Sequence, residues 1–141
     1  MKKIIIFLIA VIIIVFAIGK KYYSYKVDYI TVNQENSEYD QYINDEIYGI
    51  DLATAINKTV DKNIRNKVEI AEDGTFIQNE ESSIEIEIYM KDNETTYKME
   101  TIYNNGTEQF IQYYGNIKFK CSKTEYHEST GKLSYMLFEQ I

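Results

Sequence analysis

The chain has 141 residues, with 15 Lys+Arg against 22 Asp+Glu, one His, one Cys, no Pro and no Trp, enough for one domain with a modest core. The lone Cys121 excludes an intrachain disulfide framework, and with only His127 beside it a Cys-based zinc site lacks the roughly four N/S ligands it needs. A net charge of −7 disfavours nucleic acid as a partner, because a phosphate backbone would be repelled.

The charge is unevenly spread. Residues 1–21 hold Lys2, Lys3, Lys20 and Lys21 and no acid, whereas 11 basic and 22 acidic residues follow, a balance of −11. Between the lysine pairs, Ile4 to Ile18 is an unbroken apolar run of 15 residues. As a helix it covers about 22 Å, short of the roughly 30 Å hydrocarbon core of a bilayer. Snorkelling lysines and the tyrosines at 22, 23 and 25 extend it to a span. A core helix would not be Ile-rich on every face between two lysine pairs. A cleaved signal peptide competes, with Ala17-Ile18-Gly19 as a weak small-x-small site. Ile18 and Lys20 suit cleavage poorly, so residues 1–21 are read as an uncleaved signal-anchor. No Cys follows the run at a lipoprotein position. The short N-terminal tail favours an inside N-terminus and an exported domain, although the flanking lysines nearly balance.

Residues 22–50 read as a polar, Tyr-rich connector, with a short strand at Tyr29-Ile30-Thr31-Val32. Tyr39, Tyr42, Ile43 and Ile47 predict an amphipathic helix near 38–47. The 51–141 stretch reads as a small acidic domain. Its main helix is expected to start after Asp51 as N-cap, with Leu52, Ala55, Ile56, Val60, Ile64 and Val68 forming one apolar stripe. Asp73-Gly74 marks a turn. From Ile84 to Met90 the period becomes two, and Thr95, Tyr97 and Met99 predict the returning strand. After Asn105-Gly106, Thr107 can cap a short helix through Tyr114, closed by Gly115. Ile117 to Ser122 alternates as a strand, and Leu133 to Glu139 returns after the Ser129-Thr130-Gly131 loop. The fold class expected is α+β: a transmembrane helix, then an antiparallel sheet of about four strands in two hairpins, packed against one longer and one or two short helices.

No residue set points to catalysis. Cys121 and His127 share strand parity, but six residues of extended chain separate them by about 20 Å, far beyond the hydrogen-bond reach of a dyad. Glu85 and Glu87 lie on one face as a two-carboxylate pair would, yet alternating Glu is the ordinary wet side of a half-buried strand. Neither Glu72-Asp73-Gly74 nor Asp92-Asn93-Glu94 has the alternating oxygen ligands of a calcium loop. Three Asn-x-Thr matches are chance in so Asn- and Thr-rich a chain. No catalytic, metal or cofactor-binding residue is therefore assigned, and no cofactor is expected. Tyr is favoured at binding surfaces, so Tyr103, Tyr113, Tyr114 and Tyr126 are the candidate interaction patch, with packing in the core or on a sheet face as the competing explanation.

The segment Tyr48-Gly49-Ile50-Asp51-Leu52-Ala53-Thr54 leading into Ile56-Asn57-Lys58, with Ile84-Glu85-Ile86, Ile117-Lys118-Phe119-Lys120-Cys121 and Tyr126-His127, resembles uncharacterised small single-pass membrane proteins of low-GC, clostridia-like Gram-positive bacteria. That resemblance implies an anchored envelope protein and carries no activity. The expected function is a non-enzymatic, extracytoplasmic binding domain held at the cell membrane, with another envelope protein as its partner. The alternatives are an extracytoplasmic hydrolase or sensor using scattered carboxylates, and a cytoplasm-facing adaptor or immunity-type protein.

Overall fold

The computed structural model describes residues 2–141, and the chain divides into two compact units, Met1–Gln34 and Glu35–Ile141. The first unit is helical. Helix α1 runs unbroken over Lys2–Ser37 with none of its residues buried, and it is long and apolar enough to cross a membrane or to serve as a signal sequence. The strand expected at residues 29–32 is absent, because these residues continue the helix. β-Branched residues lower helix propensity by only about half a kcal/mol each, and a helix already nucleated by the apolar run propagates through them. Thr31 settles its hydroxyl by donating to the Val27 carbonyl one turn back, at 2.9 Å.

The second unit begins with the last turn of α1. The helix predicted near 38–47 shrinks to one turn, α2 (Asp40–Ile43), followed by strand β1 (Glu46–Tyr48). Tyr39 and Tyr42 are buried as the pattern required, but Ile47 enters the core from a strand, between outward Glu46 and Tyr48. Helix α3 spans Gly49–Arg65. It starts before Asp51, which is therefore not the cap but a first-turn acid favoured by the helix dipole. The opening amides are instead satisfied by backbone: Gly49 N–H donates to the Ile117 carbonyl at 2.8 Å and Ile50 N–H to that of Gly115 at 3.2 Å. The helix ends earlier than the stripe suggested. Lys67 takes a positive φ of 56°, and Val68 N–H reaches back to the Asn63 carbonyl, a Schellman closure that leaves Ile64 exposed and buries Val68 outside the helix.

Strands β2 (Glu85–Met90) and β3 (Thr95–Lys98) form the expected hairpin. Met99 does not extend β3; it opens an unanticipated helix α4 (Met99–Asn105), where it is fully buried. Gly106, at φ 93°, separates α4 from α5 (Thr107–Tyr114) and takes the N-cap position expected of Thr107. Gly115 closes α5 in a right-handed conformation. Strands β4 (Lys118–Tyr126) and β5 (Leu133–Gln140) make the second hairpin, with register shifts at Cys121/Lys123 and Glu125/Tyr126.

The sheet has five strands in the order β1-β4-β5-β2-β3. It is mixed rather than antiparallel, because β2 and β5 pair in parallel and so join the two hairpins. β1 adds the fifth strand along β4. One side-chain parity is buried: Ile47, Ile86, Ile88, Phe119, Met136 and Phe138 meet Leu52, Ile56 and Val60 of α3, with Met99 and Phe110 of α4 and α5. The opposite parity, including Glu85, Glu87, Tyr135, Lys123 and Glu125, stays partly open to solvent.

Candidate functional site

The open side of the sheet carries a cleft of about 690 Å³ at the end where β2 and β5 begin. Its floor follows from strand register. Tyr135 lies opposite Glu85 on one neighbour and opposite Glu125 on the other, so carboxylate, phenol and carboxylate form one row across three strands. Strands spaced roughly 4.8 Å apart place the two Glu backbones about 10 Å from each other. Glu80 and Glu128 add two more carboxylates at the walls, with Gln78, Asn79, Tyr126 and Ser129.

The walls are two loops fastened together. Asn79 Oδ1 accepts the backbone N–H groups of Glu81, Ser82 and Ser83 at 3.0, 2.8 and 3.1 Å. From the β4–β5 loop, Ser129 Oγ donates to the Glu80 carbonyl and Thr130 Oγ1 to that of Glu81. Buried His127 lies 2.7 Å from the Ser83 carbonyl through Nε2. A carbonyl only accepts, so Nε2 carries the hydrogen and His127 serves as a strut between the loops.

Charge in the cleft is only loosely balanced. Lys98 pairs with Glu85 at 3.5 Å and Lys123 with Glu125 at 2.6 Å, both lysines being more than half exposed. The Lys123 ammonium also stands 5.5 Å from the Tyr135 ring centroid, within cation–π range. Burial pushes the Glu85 carboxyl above its usual range, against the lowering pull of Lys98. Tyr135 donates to Glu87 Oε2 at 2.6 Å; burial first, and this bond second, hold its phenol well above the ordinary tyrosine range.

A second, smaller groove of about 210 Å³ lies at the opposite end of the sheet, between Met90 and Tyr97 and the α4–α5 pair. Phe110 anchors it, with ring centroids 5.3 Å from Tyr114 and 6.0 Å from Phe119.

The four candidate tyrosines are distributed over these features. Tyr113 and Tyr114 line the small groove together, Tyr113 strongly exposed and Tyr114 half-buried. Tyr103 is exposed on α4 outside that lining. Tyr126 lines the large cleft, and β5 pairs Leu133 with Tyr126 at one end and Gln140 with Phe119 at the other, some 23 Å away. Glu85 and Glu87 share a face but are engaged by Lys98 and Tyr135 respectively. Cys121 sits half-buried on β4, its thiol pushed up by burial, opposite in sense to an activated nucleophile. Asp73 Oδ1 accepts both the N–H and the hydroxyl of Thr75, closing the 73–75 turn on itself. Among the described residues, no group of three or more His, Cys, Asp or Glu is placed to hold a metal ion.

The sequence pattern missed the Glu85–Tyr135–Glu125 row. Alternation marked the open face of β2, but the row exists only through the parallel β2–β5 register and the irregularity at Cys121/Lys123, which carries Glu125 to the open side. No family model matches the chain, and neither a curated protein nor a solved structure matches it.

Proposed function

We propose that the chain is a single-pass membrane protein whose Glu35–Ile141 unit stands outside the cell and binds another envelope protein or a surface ligand without catalysing a reaction. The observation that carries this reading is α1: Ile4 to Ile18 is helical, wholly apolar and without a buried residue, a surface that water does not favour and a bilayer does. Binding is supported by the open cleft above Glu85, Tyr135 and Glu125, and by the aromatic groove at Tyr113 and Tyr114. The likeness to small bacterial envelope proteins belongs to the same reading.

Site-directed photo-crosslinking in intact cells tests it. A crosslinker replacing Tyr126, and separately one replacing Tyr113, should give a discrete adduct from at least one position. A chain found in the membrane fraction with no adduct from either position contradicts the binding reading.

A second reading has one observation in its favour. The cleft gathers Glu80, Glu85, Glu125 and Glu128, so a hydrolase working through carboxylates would have its groups there. E85Q and E125Q that abolish cellular function while the crosslinked adduct persists would favour that enzyme.

A further inference from the structure

The continuity of α1 places a particular chemistry just beyond the apolar run. Residues 19–29 are helical like the run itself, so their side chains are set by helix geometry. At about 100° per residue, Lys20, Lys21 and Lys26 point in three well-separated directions; Tyr22, Tyr25 and Tyr29 lie between Lys21 and Lys26, Tyr23 between Lys26 and Lys20, and Ser24 between Lys20 and Lys21. The four tyrosines are each more than half exposed. The segment is therefore a collar around the helix rather than one face of it. From Lys20 to Lys26 it rises about 9 Å, close to the depth of a headgroup layer outside the roughly 30 Å hydrocarbon core. An open groove of about 590 Å³ along it is lined by Ile18, Lys21, Tyr22, Ser24, Tyr25 and Asp28, a lysine and two aromatic rings above an apolar residue. Asp28 is the first acid in the sequence and lies at the far end of the collar, so residues 19–29 hold three lysines against one carboxylate, a net positive charge.

We infer that this Lys–Tyr collar binds the phosphates of anionic lipid headgroups and gives the chain a preference for anionic over zwitterionic lipid. The inference rests on the membrane reading above. Charge complementarity selects the occupant: three ammonium groups lie at headgroup depth, each favourable to an anionic surface, with amphipathic rings suited to the same layer. The Glu35–Ile141 unit holds ten basic and 21 acidic residues, a net −11. It supplies no net attraction to an anionic bilayer, so a preference measured on the full chain must come from α1.

The test uses the full chain reconstituted in phosphatidylcholine vesicles containing a minority of phosphatidylglycerol. Spin-labelled lipids of each headgroup report the relative association with the protein. The expected result is a preference for phosphatidylglycerol of about fivefold, equivalent to ~1 kcal/mol for one basic residue at the surface, shrinking in high salt. K20Q/K21Q/K26Q should remove most of the preference, while K2Q/K3Q leaves most of it in place. A preference unchanged in the triple variant, or lost in K2Q/K3Q, overturns the collar. No headgroup preference together with disulfide-linked dimers of S24C in both neutral and anionic vesicles would give the groove to a second copy of the chain and likewise overturn it. A wild-type chain that floats with neither kind of vesicle overturns the membrane reading, and the collar with it.

Discussion

The side-chain amide of Asn63 pairs with both backbone groups of Ile84, Nδ2 donating to the carbonyl at 2.8 Å and Oδ1 accepting the N–H at 2.9 Å. Asn63 is fully buried on the inner side of α3, and Ile84 is the residue before β2. The amide thus acts as one more strand partner where the sheet offers none. It also fixes the start of β2, and so the position of Glu85 at the cleft floor.

Asn63→Ala removes both bonds and leaves a buried N–H and C=O unpaired, at roughly 1–3 kcal/mol for each group. Asn63→Asp keeps the acceptor but turns a second oxygen toward the Ile84 carbonyl, so it should be no less damaging. Urea unfolding of the full chain in detergent, followed by the near-ultraviolet signal of its tyrosines, should show a clearly lowered midpoint for both. A midpoint within error of wild type would remove Asn63 from the account of the fold.

Gly49 is fixed by a close approach of two backbones. A Cβ there would lie 2.0 Å from the Tyr114 carbonyl oxygen and 2.7 Å from its carbon, and neither atom is the end of a flexible side chain. Gly49→Ala must push α3 away from the end of α5 and disturb the hydrogen bonds of Gly49 and Ile50 to Ile117 and Gly115. We expect a loss of about 3 kcal/mol, the upper part of the overpacking range, read as a fall in thermal midpoint. Thr54→Ala, at an exposed position on the same helix, should change it little.

These two contacts show what the sequence could and could not convey. The alternation at Ile84, Ile86, Ile88 and Met90 placed β2 and its buried face correctly, because a period of two has no other economical solution at that length. The stripe from Leu52 to Val60 likewise revealed α3 and its inner side. Nothing local distinguished a helical Tyr29–Val32 from a strand; the answer depended on the helix already running into it. Ile47 fitted a helical spacing and a strand parity equally well, and the free edge of β4 decided. Met99 continued the strand alternation, but the chain turns there into α4 and buries Met99 in that helix's first turn. The parallel β2–β5 register joins residues some fifty positions apart, so the cleft floor was beyond any pattern of near neighbours. Of the four candidate tyrosines, adjacency in the chain placed Tyr113 and Tyr114 together, whereas the distance to Tyr126 is a property of the sheet.

Within the Glu35–Ile141 unit, two side chains tie its first residues to α3 and to the start of β5. Asn36 Nδ2 donates to the Gly131 carbonyl and its Oδ1 accepts Leu133 N–H, both at 2.9 Å. Glu35 pairs with Lys62 at 3.5 Å and Lys132 at 3.3 Å. Asn36→Ala should cost about 1–2 kcal/mol through its two bonds. Faster hydrogen exchange at Leu133, with β2 and β3 unchanged, is the local signature that checks it. Glu35→Gln should cost less than 1 kcal/mol, since partly exposed ion pairs contribute little.

Tyr39 gives the fold an alkaline limit. It is fully buried, its hydroxyl 3.3 Å from that of Thr59, and burial pushes its phenol up to about 12 from 10.0. The unfolded chain therefore releases this proton near pH 10 and the folded one only near pH 12. Between those values the unfolded state binds fewer protons, so stability falls as pH rises. Tyr39→Phe retains the ring packing and removes the titration. Urea midpoints at pH 9 and pH 11 should drop further for wild type than for Tyr39→Phe; equal drops would mean that other groups set the limit.

The proposed function requires the Glu35–Ile141 unit to be exposed at the cell surface, and protease treatment of intact cells carrying a C-terminal tag reads that exposure. Loss of the tag signal from intact cells is expected, with the protein in the membrane fraction beforehand. Full protection in intact cells, with cleavage only after lysis, would place the acidic unit in the cytoplasm and contradict that function.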